Sequence, residues 1–331
     1  MRSSRAEWIA AIAVASFAGG VFLARVPAMA LLGFDSYPEI LTSRVLDFSG
    51  FLGTFTEQTS EGLYPYAFYR PIFNLSLAFD YAIWGLEPRG YHLTTISLVG
   101  ACGLSLFWLS KCLLGHEARW GRWATLLIFL VMPVQLEIIP LISRRMDLLC
   151  GLFSVLALAT QVLRIRRPTP IAGFAPAVLT GLAIGSKEAG VAVVPVICLL
   201  AIALCTKPRL PERIRFAGRV TAPHLAAVAF VFAARFAAIG GLGGHPSTDP
   251  SAIWIRLPKW LGSILVQITS AWAIPQGGIT EGWLYGVSAI TLIALVGLCL
   301  FLVRREGMQL AQASESRSEL TAIGIGGTWI V

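Results

Sequence analysis

The chain has 331 residues, of which 56% are hydrophobic and 13% charged, with a mean hydropathy of +0.72 and a formal net charge of +8. A soluble domain averages about 25% charged residues. A chain this poor in charge cannot coat a water-facing surface, and long apolar runs in a bilayer account for the deficit. The positive charges sit in short clusters between apolar runs, the pattern of membrane-flanking loops, which excludes a nucleic-acid partner.

Arg2 and Arg5 precede an apolar run that starts at Trp8. Ala28-Met29-Ala30 resembles a signal-peptidase site, but apolar character continues to Phe34, interrupted only by Arg25. That is long for a cleaved signal, so a retained first helix near 8–32 is expected. A long first outer loop, about 33–90, follows, and its stretch from Gly33 to Tyr69 carries Asp35, Glu39, Asp47, Glu57 and Glu61 against Arg44. Residues 71–84 are apolar but short and hold Asp80, so an interfacial helix with Asp80 facing water is expected there. Further helices are expected near 91–113, 123–142, 148–163, 171–186, 189–206, 220–239 and 283–303. The segment 253–274 contains Arg256 and Lys259 and reads as interfacial or re-entrant. Residues 304–319 are polar and read as cytoplasmic, whereas 320–331 resemble the start of a further span in a truncated chain. The fold class is therefore an all-α, polytopic transmembrane bundle of about 8–9 spans, its membrane domain covering 1–303.

Charge gives the orientation. Arg2 and Arg5 start the chain, Arg119 and Arg122 follow the second helix, and Arg164, Arg166 and Arg167 follow the fourth. Lys207, Arg209, Arg213, Arg215 and Arg219 follow the sixth, and Arg304 and Arg305 the eighth. With one crossing per helix these clusters share one side, the cytoplasm under the positive-inside rule. The N-terminus is then cytoplasmic, and the Ala-, Arg- and Gly-rich composition suits a bacterial inner membrane. The six cysteines include no CxxC pair and read as small buried apolar side chains rather than a disulfide or zinc framework. The four histidines are equally scattered.

Ionisable residues at membrane segments are costly and ask for a reason. Here Asp35, Arg70, Glu137, Arg144, Arg145, Asp147, Lys187, Glu188 and Arg235 all fall towards the outer side. Converging there, they would surround an acid with cations, which suits an anionic phosphate and a hydroxyl nucleophile. Plainer readings stand beside this one. Asp35 can be an exposed loop acid, and Arg144 and Arg145 can snorkel to headgroups. Asp147 can pair with either arginine, Glu137 with Arg144, and Lys187 with Glu188.

The stretch from Tyr69-Arg70-Pro71 through Asp80 to Trp84-Gly85-Leu86, continued by Gly90-Tyr91-His92-Leu93-Thr94, resembles membrane glycosyltransferases of the GT-C superfamily. The likeness is to the multispanning domain of the tetratricopeptide-containing O-mannosyltransferases and their bacterial relatives. Pro133 to Glu137 with Ser143-Arg144-Arg145-Met146-Asp147, then Ser186-Lys187-Glu188, then Arg235 with the glycines from Gly240 to Gly244, match in the same order. The resemblance implies transfer of a sugar, for instance mannose, from a polyprenyl-phosphate donor to a hydroxyl on protein or glycan at the outer face. It implies Asp35 as the base, with Glu39 as the other acid in that role. Arg70, Arg144, Arg145 and Lys187 would meet the donor phosphate, and Glu137, Asp147 and Glu188 would support them. No cofactor is spelled out, although carboxylates such as Asp35 and Glu39 can bind a divalent cation. A flippase or transporter of a lipid-linked anion and an inactive truncated scaffold are the alternative readings.

Overall fold

The computed structural model describes residues 5–25, 31, 35–60, 67–114, 119–132, 135, 138–166 and 173–241. These fall in one compact unit, Met1–Ser247. Glu137 and the expected segments 253–274, 283–303, 304–319 and 320–331 lie outside the described residues. Among the described residues regular structure is helical, with extended pairing limited to a bridge between Thr59 and Phe68.

Helix α1 spans Arg5–Arg25. The segment between α1 and the next long helix contains three helices: α2 (Ser36–Thr42), α3 (Phe48–Thr56) and α4 (Pro71–Trp84). Asp47 starts α3 by accepting the Gly50 N–H at 2.7 Å. Pro71 starts α4, where its missing N–H costs nothing. Helix α5 (Pro88–Leu114) runs three residues further back than the expected 91, and α6 covers Arg119–Val131 rather than 123–142. It stops two residues before Pro133, because the residue preceding a proline disfavours helical backbone.

A short 3-10 turn, Ile142–Arg144, leads into α7 (Arg145–Arg166). Arg145 and Asp147 therefore lie in the first turn of a helix, and the carboxylate there complements the helix dipole. Helices α8 (Ala175–Ser186) and α9 (Val193–Leu204) are joined through a second 3-10 turn, Glu188–Ala192. Each has 12 residues, a rise of roughly 18 Å at 1.5 Å per residue. That is short of the roughly 30 Å hydrocarbon thickness. Helix α10 (Leu210–Ile239) starts ten residues before the expected 220 and runs through Pro223.

Among the described residues four helical stretches are long and apolar enough to cross a membrane: Arg5–Phe22, Pro88–Leu114, Ile142–Arg166 and Leu210–Ile239. Helix α7 packs against α5, α8 and α9, while α10 closes over α8 and α9. One core cluster joins α1, α5, α6 and α7 through Ala11, Val99, Phe107, Leu126 and Leu148. Another fastens the loop helices to the bundle through Ile40, Phe73, Leu77, Tyr91 and Ile142. Within the bundle His224 of α10 bridges Thr180 of α8 (2.8 Å) and Gln161 of α7 (3.1 Å), so three helices share one buried polar node. The described cysteines are free, three of them buried and two half-buried, as their apolar setting suggested.

Charge sorts to two ends. At one, Arg122 Nη2 meets Glu7 Oε1 at 2.8 Å, and Arg166 donates to the Cys112 and Leu113 carbonyls at the end of α5. Some basic residues expected to face water are thus consumed by helix-end chemistry.

At the other end lies a correction. Asp80 does not face water: it is fully buried, 2.6 Å from the equally buried Arg145 Nη1. Thr94 Oγ1 donates to Asp80 Oδ1 at 2.8 Å, and Arg145 Nη2 donates to the Tyr91 carbonyl at 2.9 Å and the Thr95 hydroxyl at 3.2 Å. The inward face of α4 carries Asp80 straight to the first turn of α7, which the short apolar run could not announce.

Asp80→Ala would strand the Arg145 charge and destabilise the fold by about 3–5 kcal/mol. Asp80→Leu combined with Arg145→Met should recover most of that loss. Denaturant unfolding in detergent, followed by circular dichroism, reads both outcomes.

Candidate active site at one end of the bundle

The site is built around the turn between α8 and α9. Helix α8 ends at Ser186, and Lys187 leaves it in an extended conformation. Gly190 then presses the 3-10 segment onto α8: a Cβ there would stand 2.6 Å from the Ala183 carbonyl carbon and 2.8 Å from its oxygen. Only glycine allows that approach. The turn sends Lys187 and Glu188 to different partners. Lys187 Nζ lies 2.5 Å from Asp147 Oδ1, and Arg144 Nη1 lies 3.9 Å from Asp147 Oδ2.

Glu188 receives Arg70. The guanidinium donates through Nε to Oε2 at 3.2 Å and through Nη2 to Oε1 at 3.0 Å. Such a bidentate pair fixes direction as well as charge. Arg70 is itself held: it is the N-cap of α4, its backbone N–H donates to Thr59 Oγ1 at 2.9 Å, and its guanidinium lies 4.1 Å from the Phe68 ring centroid. Arg235, buried near the end of α10, brings Nη1 to 3.8 Å from Glu188 Oε2. One carboxylate therefore ties α4, the turn and α10.

Asp35 and Glu39 stand on α2. Asp35 is exposed, and its side chain makes no capping bond to the helix it precedes. The Glu39 N–H donates to the Asp35 carbonyl at 2.9 Å. The Glu39 side chain is buried, and its Oε2 has no hydrogen-bond partner among the described residues. Burial, then the neighbouring Asp35 charge, push its carboxyl up to about 8 against the opposing pull of Arg70. Glu39 is accordingly a neutral acid at pH 7. Among the described residues the paired charges are four cations, Arg70, Arg144, Lys187 and Arg235, and two carboxylates, Asp147 and Glu188.

An apolar cavity of about 450 Å³ abuts this cluster. Its walls come from α3, α4, α8 and α10, including Phe55, Tyr69, Ile72, Val178, Phe230 and Ala234. Pro71 and Ala234 also line it, each adjacent in sequence to a cation of the cluster, Arg70 and Arg235. Among the described residues no lining side chain is charged.

Among the residues singled out in the sequence, Arg70, Arg144, Asp147, Lys187 and Glu188 come together. Arg145 does not join them: with no exposure and Asp80 as its counter-charge, it is enclosed in the bundle rather than open to a ligand. Glu137 lies outside the described residues. Among those described, no group of three or more His, Cys, Asp or Glu side chains could hold a metal ion. Two contributors were not legible in sequence: Gly190, whose role is a backbone approach, and the reach of Arg235 to Glu188.

No family model matches the chain, and no solved structure does. The chain is similar to the mouse (Mus musculus) Protein O-mannosyl-transferase TMTC3, 28% identical over 155 residues, 46% of this chain and 16% of that protein. It is similar also to mouse Protein O-mannosyl-transferase TMTC2, 34% identical over 96 residues, 28% of this chain and 11% of that protein. The matched stretch thus spans less than a fifth of either relative. The similarity is distant and partial, to proteins named as O-mannosyl-transferases.

Gly190→Ala should push the turn off α8 and cost about 1–3 kcal/mol, and the Lys187–Asp147 and Arg70–Glu188 pairs should loosen with it. Unfolding and hydrogen exchange across 183–193 read the change. Glu39 gives a pH signature. The folded chain holds its proton more tightly than the unfolded chain, so between the ordinary value of 4.5 and about 8 stability falls as pH rises. Glu39→Gln cannot ionise. Its unfolding free energy should track the wild type below pH 4.5 and exceed it increasingly up to about pH 8, a gap on the order of a few kcal/mol.

Proposed function

We propose that this chain is a GT-C-type membrane glycosyltransferase. It moves a sugar, mannose by analogy with the named relatives, from a polyprenyl-phosphate donor to a hydroxyl on protein or glycan. The reading includes a multi-pass topology of about 8–9 spans in a bacterial inner membrane. The N-terminus is cytoplasmic, and the cluster around Glu188 faces the extracytoplasmic side. The observation that carries it is the apposition of an apolar cavity to a cation-rich cluster. An isoprenoid chain suits the cavity, and its phosphate suits the cations next to it.

In this reading the exposed Asp35 carboxylate takes the proton of the acceptor hydroxyl. The acceptor oxygen bonds to the anomeric carbon, and the bond from that carbon to the phosphate oxygen breaks. The polyprenyl phosphate leaves as an anion whose charge Arg70, Lys187 and Arg144 stabilise. Glu188 and Asp147 hold those cations in place. Arg145, being buried, acts by positioning the first turn of α7, so that Asp147 reaches Lys187. The neutral state of Glu39 keeps the cluster net positive towards an anionic donor. A divalent cation near Asp35 is not required by this chemistry.

The test is transfer from radiolabelled polyprenyl-phosphate mannose, and from other polyprenyl-phosphate sugars, in purified membranes. Asp35→Ala should lower turnover by about 100- to 10,000-fold with normal membrane insertion, the usual range for a lost general base. Arg70→Ala should chiefly raise KM for the donor lipid. Full turnover by Asp35→Ala would remove Asp35 as the base. No turnover by well-inserted wild type with any of these donors would favour a flippase of a lipid-linked anion or an inactive scaffold.

A further inference from the structure

Helix α3 is amphipathic in the opposite sense to a helix packed on a water-soluble core. Phe48, Phe51, Leu52 and Phe55 recur at the spacing that places them on one face. That face is turned outward: Phe48 is 74% exposed, Phe51 40% and Leu52 49%. The residue buried beneath the helix is Gly53, on the opposite side of the helical wheel. The rings form a ridge, with Phe48 and Phe51 stacked at 6.2 Å and Phe51 edge-on to Phe55 at 5.5 Å. Leu46, 82% exposed, extends it. Between its Asp47 cap and Glu57 the helix carries no charge, and its nine residues rise only about 14 Å, too little to cross a bilayer.

The neighbours of α3 say what covers the ridge. The helix packs against α4 and against α10, a stretch long and apolar enough to span, whose Phe230 and Phe236 are also exposed. The phenylalanine ridge therefore continues a surface already suited to acyl chains. Aromatic side chains favour this boundary between headgroup and hydrocarbon. We propose that α3 is a monotopic anchor that lies in the bilayer interface, with its phenylalanine ridge inserted among the lipid chains at the end of the bundle that carries Arg70 and Glu188. This assignment concerns a lipid surface and holds whether or not the chain transfers sugar.

The anchor is coupled to the rest of that end. Phe55, the last residue of the ridge, also lines the apolar cavity, and the Tyr69 hydroxyl donates to the Phe55 carbonyl at 3.0 Å. Tyr69 immediately precedes Arg70, so this hydrogen bond ties the end of the ridge to the residue beside the cation at the head of α4.

The test uses the full chain in lipid nanodiscs, with a nitroxide attached at Leu52→Cys and, separately, at Ser49→Cys on the polar flank. The unsubstituted protein gives the background from native cysteines. Collision with dissolved oxygen, which concentrates in lipid, is compared with collision with a water-soluble nickel chelate. The oxygen-to-nickel ratio should be several-fold higher at position 52 than at 49. Phe48→Cys, one turn away, should repeat the result if the Leu52 variant folds poorly. Nickel access at 52 and 48 equal to that at 49 would overturn the proposal, because the ridge would then face water. Suppression of both collisions would also overturn it, since a protein surface rather than lipid would cover the ridge.

Discussion

The Arg145 guanidinium is wholly enclosed, and its charge is tolerable there only because the equally enclosed Asp80 carboxylate stands 2.6 Å away. Removing either charge from water is costly, and an unpaired one would be more so. This constraint fixes α4 against the start of α7 and, through Tyr91, Thr94 and Thr95, against α5. A loop segment with its own apolar face thereby becomes part of the bundle. The Ile40, Phe73, Leu77 and Ile142 cluster then closes around the pair.

From that fixed corner the remaining charges follow. Arg145 opens α7, so Asp147, two residues on, faces the Lys187 side, and Arg144 is left at the surface. Arg70 opens α4 and is delivered to Glu188. The pairs are geometrically simple, but they draw on α4, α7, the Lys187–Glu188 turn and α10. Opposite charges are held within ion-pair distance, and Glu188, Asp147 and Lys187 stay partly exposed. Glu39 stands beside this charge with its carboxyl pushed up to about 8 by burial and then by the neighbouring Asp35 charge, against the pull of Arg70.

The apolar half of the site has a different origin. Its walls are the outward faces of helices that have no reason to avoid hydrocarbon, and α8 is short enough for the loop helices to fold over its end. The cavity therefore reaches the polar cluster, its lining residues Pro71 and Ala234 standing next in sequence to Arg70 and Arg235. The outward ridge of α3 belongs to the same logic: an apolar face that would be a defect in water is an ordinary surface in lipid.

The sequence by itself determined the class of the protein and the sorting of its charges. Low charge and long apolar runs point to a membrane chain, and the position of each charge between successive apolar runs separates Arg122 and Arg166 from Arg70, Asp147 and Lys187. The motif residues Arg70, Asp147, Lys187 and Glu188 were also legible, because polar residues beside apolar runs stand out. Pairing was not. Asp80 read as water-facing and Arg145 as a surface cation, since nothing local records which face of α4 turns inward or that α7 begins as early as Arg145. Nothing in the sequence singles out Gly190, although it is the absence of a Cβ against Ala183 that lets the turn lie so close to α8. The reach of Arg235 to Glu188 and the outward face of α3 likewise depend on how helices pack. Composition and periodicity report each segment's own preference for lipid or water. Only the tertiary structure decides which buried charge meets which, because that depends on distances between segments far apart in the chain.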